Sequence, residues 1–265
     1  MKPIAVSAAH AAYLRRIRRD ARAVRLLRIA VLLGFLLLWE LGADLKWFDP
    51  FILSSPSRVF AAIGRLYADG SLWLHVGTTL LETVLGFLLG TAIGALFAVL
   101  LWWMPRLNRV LDPYLVVLNA LPKIALGPVL IVWIGAGMAS IVVMGVLVSL
   151  VVTTVTVLNG FLAATDEKQL LMRTLGATKL QTFCKVVLPA GVPDLISALK
   201  ISVGMSWVGV IVGEYLVSKA GLGYLIVYGG QVFKLDLVMA SVTVLCVLAA
   251  LMYYAVAFLE KKVRQ

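Results

Sequence analysis

Charged residues are scarce in this sequence, so it lacks the charged surface that a soluble protein presents to water. Only 14% of its 265 residues are charged while 62% are hydrophobic, whereas a soluble domain is about 25% charged and about 45–50% apolar. The mean hydropathy is +1.01. This composition excludes an ordinary soluble domain and predicts an integral membrane protein. Because a helix needs about 20 residues to cross the bilayer, the length suits six spans in one membrane domain, without a second soluble domain.

Cysteine and histidine are also rare, with two of each. Cys184 falls in a polar loop and Cys246 in an apolar run, so they do not suit a disulfide framework, and neither has a metal-ligand neighbour. His10 and His75 are isolated in the sequence, and we expect both to be surface residues. We therefore predict no metal site.

The motifs of the common catalytic sites are missing. No glycine-rich loop ends in Gly-Lys-Ser or Gly-Lys-Thr, and the Gly-Ala-Thr-Lys order before Lys179 has the wrong spacing for a phosphate loop. No HExxH pair occurs, and no serine and histidine lie on facing spans. We therefore expect no ATP hydrolysis by this chain, no protease activity and no cofactor of its own.

The net charge of +11 would suggest nucleic acid in a soluble protein, but here the positive charges concentrate in a few loops. Cytoplasmic loops of membrane proteins carry excess Lys and Arg. With the amino terminus inside, the segments on the cytoplasmic side hold 17 Lys and Arg and those outside hold 5. Both termini are therefore predicted to be cytoplasmic, and nucleic-acid binding is not expected. The cytoplasmic segments would be 1–28, 102–110, 165–189 and 260–265.

Apolar runs divide the chain into a basic cytoplasmic segment, residues 1–28, and a transmembrane domain, residues 29–265. The basic segment could be an amphipathic helix on anionic headgroups or a disordered tail, and the sequence leaves both open. Outside, we expect a short helix that begins with Ser57 as its cap and ends near Tyr67. Residues 217–235 should be irregular because they are rich in glycine. The six spans are expected at about 29–45, 76–101, 111–134, 139–161, 191–216 and 236–259.

Glycine recurs every fourth residue in the second span, at Gly86, Gly90 and Gly94. One face of this helix is therefore almost bare backbone, which permits close helix packing. Packing within one subunit and contact between two copies are both possible, and we favour the first.

Ionisable residues within the spans are functional candidates, because a charge in the bilayer costs roughly 3 kcal/mol or more unless it faces a cavity or a partner. Lys123 lies where Pro122, Gly127 and Pro128 should break the third span, and broken backbone in a membrane must be buried or line a wet cavity. Glu214 could instead be an interfacial side chain, Lys200 could extend to the inner face, and Trp207 could be packing. Glu40 and Glu82 are expected to be structural.

The longest polar interruption after residue 100 is 165–189, which reads TDEKQLLMRTLGATKLQTFCKVVLP. Its first part favours helix, and Gly176 supplies a bend because glycine adopts positive φ freely. A second helical piece should run from Thr178 to Val187 and stop at Pro189. We therefore predict two short helices and a glycine turn at the cytoplasmic face.

This loop is similar to the cytoplasmic coupling loop of ATP-binding-cassette importer permeases. That pattern is Glu-Ala-Ala, three residues, Gly, nine residues, Ile, one residue, Leu-Pro, and Gly176, Val186, Leu188 and Pro189 stand at matching spacings. Leu-Leu-Met replaces Glu-Ala-Ala, so the acidic contact would fall to Asp166 or Glu167. Three further stretches resemble the nitrate, sulfonate and taurine branch of these permeases: 121–137, 206–226 and, more weakly, 52–80.

The resemblance implies an all-α, type I importer permease fold with six transmembrane helices in the inner membrane. It implies two ATPase subunits that carry ATP and Mg, a second permease copy, and an extracytoplasmic binding protein that delivers a small polar solute such as nitrate, a sulfonate or taurine. A nucleotide-independent channel or scaffold is the alternative. The implied translocation path includes Lys123, Lys200, Trp207 and Glu214, and the implied ATPase-coupling residues are Asp166, Glu167, Leu170, Arg173, Gly176, Ala177, Leu188 and Pro189.

Overall fold

The computed structural model describes residues 8–164 and 166–263, and within these ranges the chain is built of helices without a β-strand. The helices longer than 15 residues are α1 (Ala8–Asp44), α4 (Ser71–Trp103), α5 (Pro105–Ala120), α7 (Met138–Leu162), α10 (Leu188–Val217) and α12 (Leu235–Val263). The shorter ones are α2 (Pro50–Leu53), α3 (Pro56–Ala68), α6 (Gly127–Ile134), α8 (Asp166–Thr174), α9 (Lys179–Thr182) and α11 (Leu222–Gln231).

The predicted six-span architecture is confirmed. Five described helices are long and apolar enough to cross a membrane, and a sixth span results when α5 and the segment Lys123–Ile134 are taken as one broken span, bent by 87°. The helices extend beyond the apolar runs by several residues at most ends, because polar and aromatic residues continue the helix past the hydrocarbon region. α1 passes through Arg28 unbroken, so the described part of the basic segment is helical rather than disordered.

The break in the third span lies at Leu121 and Pro122. Leu121 is extended, as a residue before proline prefers to be, and a 3₁₀ turn, Lys123–Leu126, follows Pro122. The prediction that Gly127 and Pro128 also break the helix was wrong, since they form the first turn of α6. A proline is tolerated in the first turn because that N–H would have no partner in any case.

Two details of the outer segments differ from the sequence prediction. The side chain that caps α3 is Ser55, which accepts from Arg58 N–H, whereas Ser57 donates its N–H (2.9 Å) and its hydroxyl (2.6 Å) to Glu40. Residues 217–235 are not irregular, because α11 occupies their centre. Gly221 precedes α11 at φ +115, and the remaining glycines of the segment lie inside the helix, where side chains from other helices leave no room for a Cβ at Gly223 and Gly229.

Short polar contacts also order the end of the bundle at which α3, α4 and α12 begin. Asp236, in the first turn of α12, accepts from Ser54 Oγ (2.8 Å) and from an Arg58 guanidinium nitrogen (3.0 Å). At the start of α4, Ser71 donates its hydroxyl (2.6 Å) and its N–H (2.8 Å) to Asp69, which precedes the helix. These hydrogen bonds hold the pKa of the exposed Asp69 carboxyl below its usual range.

The centre of the bundle is the crossing of α4, α7 and α10, where glycine lets the backbones touch. A Cβ on Gly86 would lie 3.4 Å from Gly145 Cα, and one on Gly209 would lie 2.7 Å from the same atom. The other two glycines of the predicted bare face, Gly90 and Gly94, also contact α7. The close packing is therefore within one subunit, as favoured from the sequence.

Candidate functional site

Gly176 ends α8 in the left-handed conformation, at φ +72. The N–H of Ala177 bonds to Met172 O (2.9 Å) and that of Gly176 bonds to Arg173 O (3.0 Å), the paired bonds of a Schellman helix end. A Cβ added to Gly176 would meet no atom within 4 Å. The turn therefore needs glycine for its backbone and projects into open space.

The second half of the loop begins at Thr178 with reciprocal caps. Thr178 N–H donates to Gln181 Oε1 (2.8 Å), and Gln181 N–H donates to Thr178 Oγ1 (3.3 Å), which is a capping box. The prediction that this helix stops at Pro189 was wrong, because a π-helical turn, Phe183–Val187, leads directly into α10. A wider π turn can absorb a residue that supplies no N–H, so helix is continuous from Lys179 to Val217.

An aromatic cluster anchors this half of the loop to the bundle. Phe183 packs on Trp102 (ring centroids 4.9 Å apart), Trp103 (6.2 Å) and Phe161 (5.5 Å). Lys179 Nζ donates to Trp103 O (2.5 Å) and lies 5.7 Å from the centre of the Trp102 ring. The sequence analysis did not predict this contact, although two adjacent tryptophans at the start of the cytoplasmic segment 102–110 were a visible signal.

Beyond this anchor, the loop presents apolar side chains to its surroundings. Leu175 is 72% exposed, and the members of the exposed apolar set are Leu170, Leu171, Leu175 and Leu180. Glu167, Arg173, Leu188 and Pro189 are exposed with them, and Ala177 is half-buried. The side chain of Asp166 and all of Thr165 lie outside the described residues. A cleft of about 440 Å³ separates the loop from α4 and α5, with Gln169 and Arg173 at its wall.

Lys123 lies at the break of the third span, and its ammonium group donates to Asn119 O at 3.2 Å. That carbonyl is in the last turn of α5, where no following helical N–H is available and a cation is favourable. The structure therefore gives Lys123 a helix-capping contact and leaves it half-buried.

Glu214 is 1% exposed, so it is not an interfacial side chain reaching headgroups. One carboxyl oxygen accepts the N–H of Gly223 (2.6 Å) and of Tyr224 (3.4 Å) in the first turn of α11.

His75 is 8% exposed, so the prediction of a surface histidine was wrong. Its Nδ1 accepts the N–H of Gly221 at 3.0 Å, and no sequence signal linked these residues, which are 146 positions apart.

The remaining candidates for the translocation path are Lys200 and Trp207. They lie seven residues apart on one face of α10, and Glu214 follows after seven more. Lys200 forms an ion pair with Glu260 of α12. Trp207 is 4% exposed and packs with Phe87 and Val256. From Lys200 to Glu214 is roughly 20 Å along the helix at 1.5 Å per residue. The structure thus brings the coupling residues together in one loop and spreads the path candidates along the interior of the subunit.

Comparison with known proteins agrees with this geometry. The family model "Binding-protein-dependent transport system inner membrane component" matches residues 90–265. A probable ABC transporter permease protein of Haemophilus influenzae is 34% identical, over 89% of this chain and 96% of its own length. The formylaminopyrimidine transport permease protein of Halalkalibacterium halodurans is 31% identical, over 72% and 76%. A putative aliphatic sulfonates transport permease protein of Bacillus subtilis is 27% identical, over 85% and 82%.

Among solved structures, a chain of the MetNI methionine ABC transporter in an inward-facing conformation matches with a TM-score of 0.63 and 22% identity. The match covers 72% of this chain and 97% of that one, and it supports the fold. The chain belongs to the family of binding-protein-dependent transport system inner membrane components and is a non-catalytic, multi-pass inner-membrane permease subunit of an ABC importer.

Proposed function

We propose that residues 165–189 are the surface on which an ATPase subunit docks, and that α10 carries its movement into the membrane. The observation that supports this most directly is the continuous helix from Lys179 to Val217. It begins in the exposed loop, passes through the glycine crossing with α7 and ends at the contacts of Glu214 with α11. At 1.5 Å per residue its 39 residues span roughly 60 Å, enough to join a cytoplasmic contact to the opposite membrane face.

The exposed leucines of the loop suit an apolar groove on a partner. Four leucines on one short solvent-facing segment are unfavourable unless a protein covers them, and the aromatic cluster around Phe183 holds the segment to the bundle. Leu170 and Leu171 stand where the family pattern has Glu and Ala, so we propose a more apolar contact here than that pattern gives. Asp166 or Glu167 supplies the acidic contact.

The proposed assembly has two permease copies, two ATPase subunits that carry ATP and Mg, and an extracytoplasmic binding protein. Permeases of ABC importers work with ATPase subunits and binding proteins, and the numbers of each, with the homodimer, are part of the proposal. The excess of Lys and Arg in 1–28, 165–189 and the carboxyl terminus supports cytoplasmic termini. Family membership sets aside the alternative of a nucleotide-independent channel or scaffold.

The proposed solute is small and polar, of the sulfonate, taurine or nitrate kind or a similar size. Relatives named for aliphatic sulfonates and for formylaminopyrimidine support this range. We further propose that Lys123 and the break around it line the path. Lys200, Trp207 and Glu214 contribute to the path along α10, where the buried Trp207 and Glu214 would position the helix rather than contact the solute. A cation beside broken backbone would favour an anionic or strongly polar solute.

Replacing Leu175 by glutamate tests the docking surface. Leu175→Glu should prevent a soluble ATPase from co-purifying with the tagged permease, because a charge would enter an apolar contact that cannot solvate it. ATP hydrolysis by the purified material should fall in the same proportion. Leu53→Glu is the matched control, since Leu53 is also an exposed leucine on a short helix, in the outer segment. Undiminished co-purification of Leu175→Glu would contradict the proposal.

Cysteine at position 123 tests the path. In a background with Cys184→Ser and Cys246→Ser, Lys123→Cys should react with a small water-soluble thiol reagent, the rate should depend on the nucleotide state, and labelling should reduce uptake. Val210→Cys is the control for a buried position, because Val210 is fully covered. A Lys123→Cys thiol that stays unreactive in every nucleotide state, with uptake unaffected, would identify Lys123 as a structural cap of α5.

A further inference from the structure

The first turn of α11 is held by side chains from two other helices. The N–H groups of Gly221, Leu222 and Gly223 donate to His75 Nδ1 (3.0 Å), Thr79 Oγ1 (2.7 Å) and Glu214 Oε2 (2.6 Å) in that order. We call these six residues the α11 dock. The dock satisfies helix N–H groups that would otherwise be buried without partners.

A second carboxyl group lies directly beside the dock. Glu82 follows His75 and Thr79 at helical spacing on one face of α4, and it is 2% exposed. Leu222 and Gly223 are adjacent in α11 and donate to Thr79 and to Glu214, so α11 holds this face of α4 against Glu214, with Glu82 one turn along α4 from Thr79. Glu82 Oε2 and Glu214 Oε1 are both buried, and neither receives a hydrogen bond from the described residues. Ionised carboxylates only accept hydrogen bonds, so two buried carboxyl oxygens that receive no hydrogen bond require a proton or a cation.

We propose that Glu82 and Glu214 form a proton-binding site in which one shared proton keeps the α11 dock closed. A neutral carboxyl has an O–H that its neighbour accepts, and two neighbouring negative charges in a buried site cannot both persist. A metal ion fits less well. Within the described ranges no three His, Cys, Asp or Glu side chains form a group that could hold one, and Glu214 Oε2 is already engaged by two N–H groups, whereas Ca²⁺ needs about six to eight oxygens.

The other titratable groups around the pair do not supply the missing positive charge. On α4, His75 accepts a hydrogen bond with Nδ1, and Asp69 precedes that helix. Tyr215 on α10 and Tyr224 on α11 are the neighbouring phenols. Lys219 is exposed and lines a cleft of about 350 Å³, and Glu82 lies in the wall of the same cleft. This cleft gives the proton a route to water.

The site makes the position of α11 depend on pH. When the pair holds its proton, Glu214 stays against Gly223 and Tyr224 and the dock is closed. When pH rises and the proton leaves, two buried negative charges repel each other, Glu214 moves away from Glu82, and the first turn of α11 loses an acceptor. Closing is therefore favoured at low pH and opening at high pH.

Infrared difference spectra of the intact purified membrane complex test the proton directly. The wild type at about pH 7 should show the C=O stretch of a protonated carboxyl that is lost in Glu82→Gln, and this band should disappear as pH is raised further. Glu40→Gln is the matched control, because Glu40 accepts two hydrogen bonds from Ser57 and should contribute no such band. Absence of the band in the wild type would overturn the proposal.

Hydrogen exchange of the amides at 221–224 tests the dock. After correction for intrinsic rates, protection in the wild type should fall about tenfold or more between about pH 6 and pH 9. In Glu82→Gln it should stay constant within about twofold, because the amide of Gln donates to Glu214 at every pH. Equal pH dependence of protection in the wild type and in Glu82→Gln would overturn the proposal that a shared proton keeps the α11 dock closed. Protection that follows added Na⁺, K⁺ or Ca²⁺ instead of pH would also overturn it.

Discussion

Gly209→Ala should lower the unfolding temperature of the permease by about 5–10 °C, corresponding to a loss of about 2–3 kcal/mol. The added methyl would lie 2.7 Å from Gly145 Cα and 2.8 Å from Met144 O. Both are backbone atoms of α7, so no side chain can rotate away and the two helices must separate. Because α4 meets α7 at the same place, the separation would disturb three helices.

Gly204→Ala is the control for Gly209→Ala, since both add one methyl to the same helix. A Cβ on Gly204 meets no atom within 4 Å, and alanine is a better helix former than glycine by roughly 0.5–1 kcal/mol. Gly204→Ala should therefore leave the unfolding temperature unchanged or raise it slightly. The unfolding temperatures of the two variants are measured in detergent by intrinsic fluorescence. The fraction of folded protein recovered by size-exclusion chromatography after heating is the second measurement. An equal effect of the two substitutions would show that the glycine crossing is not the tightest point of the bundle.

Gly176→Leu should reduce ATP-driven uptake about tenfold or more while leaving the membrane spans folded. A side chain at φ +72 costs roughly 1–2 kcal/mol, and about 1.4 kcal/mol is a tenfold change in an equilibrium constant. The leucine would also project into the open space that the docked ATPase is proposed to fill. The measurement is solute uptake in proteoliposomes that contain the reconstituted complex, with thermal unfolding as the check on the fold.

Gly176→Asn separates the backbone requirement from the surface requirement. Asparagine adopts the left-handed region far more readily than leucine does, so it should preserve the Schellman turn and retain most of the uptake. If Gly176→Leu transports at the wild-type rate, the turn is not a coupling element. If Gly176→Asn is as defective as Gly176→Leu, the bulk of the side chain rather than the conformation of the turn decides coupling.

The sequence by itself determined the features that depend on local chemistry. A long apolar run predicts a span regardless of its neighbours, because every backbone group in lipid must be paired within the helix. Pro122 ends a helix through its own ring and its missing N–H. Gly176 bends the loop because it alone lacks a Cβ. These predictions held because each cause lies within a few residues of its effect.

Tertiary structure decided what depends on partners distant in the chain. Nothing near His75 or Glu82 in the sequence shows that α11 and Glu214 meet them, since these contacts join segments more than 130 residues apart. Packing on Trp102 and Phe161 positions Phe183, and the π turn that starts there carries the helix past Pro189, against the usual effect of a proline. Gly223 and Gly229 lie inside α11 although glycine disfavours helix, because α10 packs closely on Gly223 and α12 packs closely on Gly229. At Pro189 and at these two glycines, packing against other parts of the bundle outweighed a local preference of about 1–3 kcal/mol against helix.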